Sequence, residues 1–425
     1  MRRWLASSVV CTCAALIPAA VPAAAEPRLV APEVLALIQD DDPYPLPRGL
    51  SADELRGWRL PDALQTPYAP PPGRVRAQAE YEDNSGILVR WGSQNALLTQ
   101  MTVAITSGDP DAVVYVVVTG ASQQNSAAAT LSGAGADLAR VRFVTQACSS
   151  GCSVWMRDYG PRFIDDSGRR AAVDHVYNRP RPVDDAFPAV WASYSGEPKY
   201  DIPLTHGGGN FHLFRNRDAF MTRLIVNENP GLSEQQIKDY YRDYQGMNLT
   251  LTDPFPTSYD STQHIDMWML PLADDKVLIS QHASTDGVPY TVTENTAALL
   301  AGRGYTVYRT PAWNTGGTHY TYANAVLLNK VALVCQFNGY ATQNAAALAT
   351  FRAALPERSV VGVDCSGIIG LAGAIHCIVM QCRICCSATI SAASSPDTAA
   401  GGDRGRQRRG DRADAGSPGI CGPRR

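Results

Sequence analysis

From residue 87 onward, short apolar runs alternate with longer amphipathic stretches, and the alternation recurs along most of the chain. Short apolar runs bounded by turn residues read as buried strands, and longer stretches with helical spacing read as helices. Strand 87–91 leads through helix 95–105 to strand 113–118, which leads through helix 126–138 to strand 141–145. Three more units follow: 221–226, 233–244 and 247–252; then 276–280, 294–303 and 305–309; then 326–335, 344–355 and 359–363. Each is the size of a strand–helix–strand module, about 30–40 residues. An open dinucleotide-binding sheet uses the same module. It would need G-x-G-x-x-G after the first strand, whereas Gly133-Ala134-Gly135-Ala136 falls inside or after a helix. Five like modules are better satisfied by a pseudo-symmetric α/β ring, which hides strand edges and places a shared site at its centre.

Three segments break the pattern. Residues 1–25 read as a secretory signal: Arg2-Arg3, a short apolar core, then Ala23-Ala24-Ala25 as the cleavage site. Pro18 and Pro22 interrupt the core and argue against a membrane span, so a secreted or periplasmic protein without a membrane anchor is expected. Residues 26–80 form an irregular Pro-rich leader, and 81–381 the body. Residues 382–425 form an Arg-rich tail without apolar pattern, expected to be disordered.

Charge sharpens this division. The net charge of -3 splits into +2 before residue 26, +4 from Cys382 onward and therefore -9 between them. An acidic body disfavours nucleic acid and attracts cationic substrates. Of the 11 cysteines, the body keeps Cys148, Cys152, Cys335, Cys365 and Cys377, an odd number. Cys148 and Cys152 are spaced for a local bridge, while Cys335 and Cys365, in apolar runs, read as buried small hydrophobes. Cys377 is then the candidate reactive thiol.

Residue chemistry narrows the choice further. Cys377, His264, Asp158 and Asp266 lie in apolar or turn contexts with no metal-ligand spacing around them, and no cofactor is expected. Two carboxylates can hold the planar guanidinium cation through its five N–H donors. A thiolate can attack the central carbon, and an imidazole can give a proton to departing ammonia and later activate water. His264 and Asp266, two apart, would share a face on a strand. His376 adjoins Cys377 and would face away from it, so it is not assigned as the base. Trp155 is placed to wall the stem of an arginine.

The segments Trp155-Met156-Arg157-Asp158-Tyr159-Gly160-Pro161, His264-Ile265-Asp266 and Gly373-Ala374-Ile375-His376-Cys377 resemble the bacterial peptidylarginine deiminase and agmatine deiminase branch of the guanidine-modifying enzymes, the pentein superfamily. The resemblance runs over about 87–381. It implies a five-bladed α/β propeller and metal-free hydrolysis of a guanidinium to a ureido group through a covalent cysteine adduct. Tyr177-Asn178-Arg179-Pro180-Arg181-Pro182 is similar to the peptidylarginine-type pattern, in which Arg179 and Arg181 grip the carboxylate of a C-terminal arginine. The interleaved prolines favour an extended path with both arginines on one face. Asn324 resembles a site-lining residue of the family. Gly207-Gly208-Gly209 is expected to let backbone approach the substrate. The expected partners are arginine-containing peptides or proteins, with citrulline as product, or alternatively agmatine, the route to putrescine. A periplasmic binding protein for cationic peptides would need the two aspartates but not Cys377.

Overall fold

A parallel strand pair joined by a helical crossover recurs through the computed structural model, which describes residues 26–57, 59 and 69–382. Among these residues the strands form five sheets. In the first, Gly86–Arg90, Val113–Val118 and Val141–Thr145 run parallel, with helices Asn95–Gly108 and Ala121–Gly133 as crossovers. The second pairs Arg169–Tyr177 with Lys199–His206 across helices Pro182–Asp185 and Phe187–Ser195. The third pairs Asp218–Thr222 with Asn248–Thr252, and helix Glu234–Gln245 lies between them in the chain. The fourth pairs Lys276–Gln281 with Thr306–Thr315 through Val288–Gly302. The fifth pairs Val331–Gln336 with Ser359–Asp364 through Ala341–Ala354. The first strand of each set also takes an antiparallel neighbour. In the first sheet that neighbour is Met380–Cys382, the last described strand of the chain.

Burial explains the sequence of these strands. Val113–Val118 reads Val-Val-Tyr-Val-Val-Val with almost no exposed position, as expected when a parallel sheet is covered on both faces. Branched side chains suit such a strand because their few rotamers fit the pleat. One apolar cluster gathers the first, fourth and fifth sheets, and a second is built from the second and third. Among the described residues, no helix is long and apolar enough to cross a membrane.

Several expectations need correction. The first two predicted units share Val113–Val118 and make one sheet, so periodicity revealed four sheets and missed the second. Its strands carry Asp174, His175 and Pro203, and their pairing is irregular between Asp174 and Val176. Polar residues, a proline and a bulge together erase the apolar run that marks a buried strand. The expected strand 221–226 ends at Thr222, and Leu224–Glu228 is helical. The run 326–335 is a hairpin, Val326–Leu327 against Val331–Gln336. Cys335 and Cys365 are not separate buried thiols but a disulfide joining neighbouring positions at the ends of the fifth sheet, and Cys148–Cys152 is also bridged. The leader is not wholly irregular, since Val75–Ala77 adds a strand to the second sheet. The expected signal (1–25) and nearly all of the tail (383–425) lie outside the described residues.

Candidate active site

Three loops converge on one point. Asp158 sits in the short helix Met156–Tyr159, whose position is fixed from the second sheet: His175 Nε2 lies 2.8 Å from the Asp158 carbonyl, and Gly208 N donates to the same oxygen. His264 precedes, and Asp266 lies within, the 3-10 turn Ile265–Met267. The pair is therefore not on a strand as expected, and the turn instead brings both side chains to the same cation. Cys377 likewise occupies a turn rather than a strand, and its carbonyl accepts from Arg157 N at 3.0 Å.

The cation at this point is Arg48, from the leader. Its Nε donates to Asp158 Oδ2 (2.8 Å) and its Nη2 to Asp158 Oδ1 (2.9 Å), a forked pair. Nη1 and Nη2 fork onto Asp266 Oδ1 (3.0 Å) and Oδ2 (2.9 Å). Nη2 also lies 2.7 Å from His264 Nδ1. Every oxygen of both carboxylates thus serves one fully buried guanidinium. Burial by itself would raise both carboxyls, but Arg48 outweighs it, helped by His264 at Asp158 and by His376 at Asp266. Both stay well below the usual carboxylate range.

Two glycines make room for this cation. A side chain on Gly209 would lie 1.8 Å from Arg48 Nη2 and 2.7 Å from Asp266 Oδ2. One on Gly373 would meet Trp155 at 2.6 Å, Arg48 Cδ at 2.9 Å and Cys377 Sγ at 3.1 Å. Gly373 thus lies where the Trp155 ring, the Arg48 stem and Cys377 Sγ crowd together.

Cys377 Sγ is 3.5 Å from Asp266 Oδ2, the same oxygen that holds Arg48 Nη2. Asn324 Nδ2 donates to Sγ at 3.0 Å, and Asn324 Oδ1 accepts from His376 N, so Asn324 ties the Cys377 loop to its place. Burial pushes the thiol well up; Arg48 opposes this, and the two aspartates add to it. The His376 ring and Cys377 Sγ meet at one oxygen, Asp266 Oδ2. His376 Nδ1 meets Asp266 Oδ2 at 2.9 Å and its Nε2 meets Glu80 Oε2 at 2.7 Å, while Glu80 Oε1 accepts from Arg157 (2.8 Å). Glu80, His212 and His376 could together ligate a metal ion, but Glu80 and His376 already use their facing atoms on each other.

Arg179 and Arg181 reach the rim without the expected extended path. The chain bends after Tyr177, Arg181 N bonds back to Arg179 O, and a helix begins at Pro182. Arg181 forks onto Glu54 (2.8 and 3.0 Å) and donates to the carbonyls of Pro47 and Gly49. Arg179 Nε donates to the carbonyl of Arg48 at 3.3 Å, and Trp155 Nε1 to that of Leu46. Sequence reasoning missed Arg48 and Glu80. The available signal was a single arginine between Pro47 and Gly49 in an acidic leader, in a chain expected to act on arginine.

The profile of the Porphyromonas-type peptidyl-arginine deiminases matches residues 76–382. A candidate agmatine deiminase of Streptomyces avermitilis is 28% identical over 261 residues, 53% of this chain and 73% of that one. Among solved structures, the agmatine deiminase of Enterococcus faecalis superposes with a TM-score of 0.63 at 18% identity, covering 73% of this chain and 96% of that one. A candidate arginine deiminase of Porphyromonas gingivalis superposes with a TM-score of 0.61 at 18% identity, covering 72% and 98%. These likenesses carry the pentein-type deiminase fold, and the profile covers most of the chain. The chain belongs to the Porphyromonas-type peptidyl-arginine deiminase family, hydrolases that act on guanidino groups.

Proposed function

We propose that the protein is an exported deiminase that converts peptide-borne arginine to citrulline and ammonia through a covalent thiouronium on Cys377. The observation that carries this is the Arg48 guanidinium held by Asp158 and Asp266 with His264 and Cys377 beside it. In the proposed reaction the Cys377 thiol passes its proton to His264 and Sγ bonds to the guanidinium carbon. The C–N bond to the amino group facing His264 breaks, and His264 delivers the proton that leaves with ammonia. Water, activated by the same imidazole, then adds to the thiouronium carbon; the C–S bond breaks, leaving a ureido group and the free thiol. Asp158 and Asp266 hold the cation in plane throughout.

Arginine in a peptide fits better than agmatine. Arg179 lies at the carbonyl of the bound arginine, where a C-terminal carboxylate would sit and where agmatine has no oxygen. The names carried by several relatives favour agmatine as a second reading. We also read the five sheets as the blades of a propeller, supported by the pairing of Met380–Cys382 with Gly86–Arg90, which joins the far end of the catalytic body to its start. Two disulfides support an oxidising compartment. The test is product analysis with an Arg-ending peptide, an internal-Arg peptide and agmatine. Ureido product from the peptides in preference to agmatine is expected, and preference for agmatine would overturn the substrate reading. Arg179→Ala should lower kcat/KM for the Arg-ending peptide about ten- to a hundred-fold, the effect of one charge-assisted bond.

A further inference from the structure

We propose that Arg48 is itself a modification site: the enzyme deiminates this residue in cis, and the leader strap around it is freed when it becomes citrulline. The inference rests on the deiminase reading above and concerns what that site does to its own chain.

Arg48 is held as a substrate would be, not as a structural ion pair would be. A structural arginine needs carboxylates. It does not need an imidazole nitrogen 2.7 Å from the nitrogen that must leave, nor a buried thiol within 3.5 Å of the carboxylate oxygen that orients that nitrogen. All four oxygens of Asp158 and Asp266 are taken by Arg48, so no second guanidinium can be clamped while it is present. The strap is also held as a polypeptide. Arg181 donates to the carbonyls on either side of Arg48, Arg179 to that of Arg48 itself, and Arg48 N donates to Leu371 O. The site therefore accepts an arginine followed by further residues, and the substrate class it fits is internal arginine as well as terminal.

The chemistry balances with water as the only co-reactant. Arg48 and water give citrulline and ammonia, and Cys377 is regenerated. The product is neutral, so two buried carboxylates lose their counter-charge and are left to face a group that cannot balance them. Such a pair expels the neutral strap in favour of the next guanidinium. Self-conversion thus opens the site to other substrates.

The experiment compares full-length wild type with Cys377→Ala, each mapped by mass spectrometry at residue 48, with turnover of added Arg peptides followed in the same samples. Wild type is expected to carry citrulline at position 48, a peptide heavier by about 1 Da with its charge lost, and Cys377→Ala to keep arginine. Wild type that turns over added peptide while Arg48 stays unmodified overturns the proposal and leaves the deiminase reading intact. Conversion of Arg48 in Cys377→Ala after mixing with wild type would place the step between molecules and contradict its cis character. If neither wild type nor Arg48→Gln forms a ureido product from any of the offered guanidines, the deiminase reading falls and self-modification falls with it.

Discussion

Burial raises the Cys377 thiol, and Asp266 and Asp158 raise it further; the Arg48 guanidinium pulls the other way, with a smaller pull from the Ala374 N–H. In the proposed reaction the thiol thus depends on the cation that it attacks, and the cation depends on the two carboxylates. Replacing either carboxylate with an amide removes half of a forked contact and half of the counter-charge. Asp158→Asn and Asp266→Asn should each lower kcat/KM at least a hundred-fold, since a broken buried pair costs about 3–5 kcal/mol. Steady-state kinetics on an Arg peptide checks this, and near-wild-type efficiency in either variant would make that residue structural. His264→Ala should cost roughly 10²–10⁴-fold in kcat, the usual span of proton transfer. These four residues were legible in the sequence because each is a reactive side chain in an apolar or turn context that no ordinary packing role explains.

At the scale of elements, the strap 46–54 is pinned by Arg48 on the two aspartates and, away from them, by Arg181 on Glu54 and on the carbonyls of Pro47 and Gly49. Burial would raise the Glu54 carboxyl, but hydrogen bonds from Arg181 and Ser51 outweigh it and lower it. A carboxyl lowered in the folded state stabilises that state fully above its unfolded value, about 4.3 for glutamate, and the contribution is lost as pH falls below it. The strap should therefore loosen on acidification, and Glu54→Gln should loosen it at neutral pH and remove most of that pH dependence. Limited proteolysis at the Arg48–Gly49 bond reads the opening, and a roughly ten- to a hundred-fold faster cleavage in Glu54→Gln is expected where Arg48 is unmodified, as in Cys377→Ala. Unchanged cleavage would mean that the pair does not hold the strap. The strap's role was not legible. Residues 46–54 show no periodicity, and the contacts of Arg48 reach 110 and 218 residues along the chain. Local pattern cannot report a contact that far away.

Across the whole molecule, four of the five sheets followed from periodicity, because their apolar runs are clean. The second sheet was hidden by Asp174, His175 and Pro203. Among the described residues there are six parallel strand pairs, two of them in the first sheet, so the five predicted modules left out the pair of the second sheet. The converging loops could not be read from spacing alone, since His264, Asp266 and Cys377 sit in turns where alternation rules do not apply. What unites them is the chemistry of one cation, and the central claim is that Cys377 attacks it. The direct measurement is peptide mapping of wild type acid-quenched during turnover of an Arg peptide. The account predicts a thiouronium adduct on Cys377 that is absent in Cys377→Ala, which should be inactive but folded. Turnover at the normal rate by Cys377→Ala, or an adduct on another residue, would contradict it.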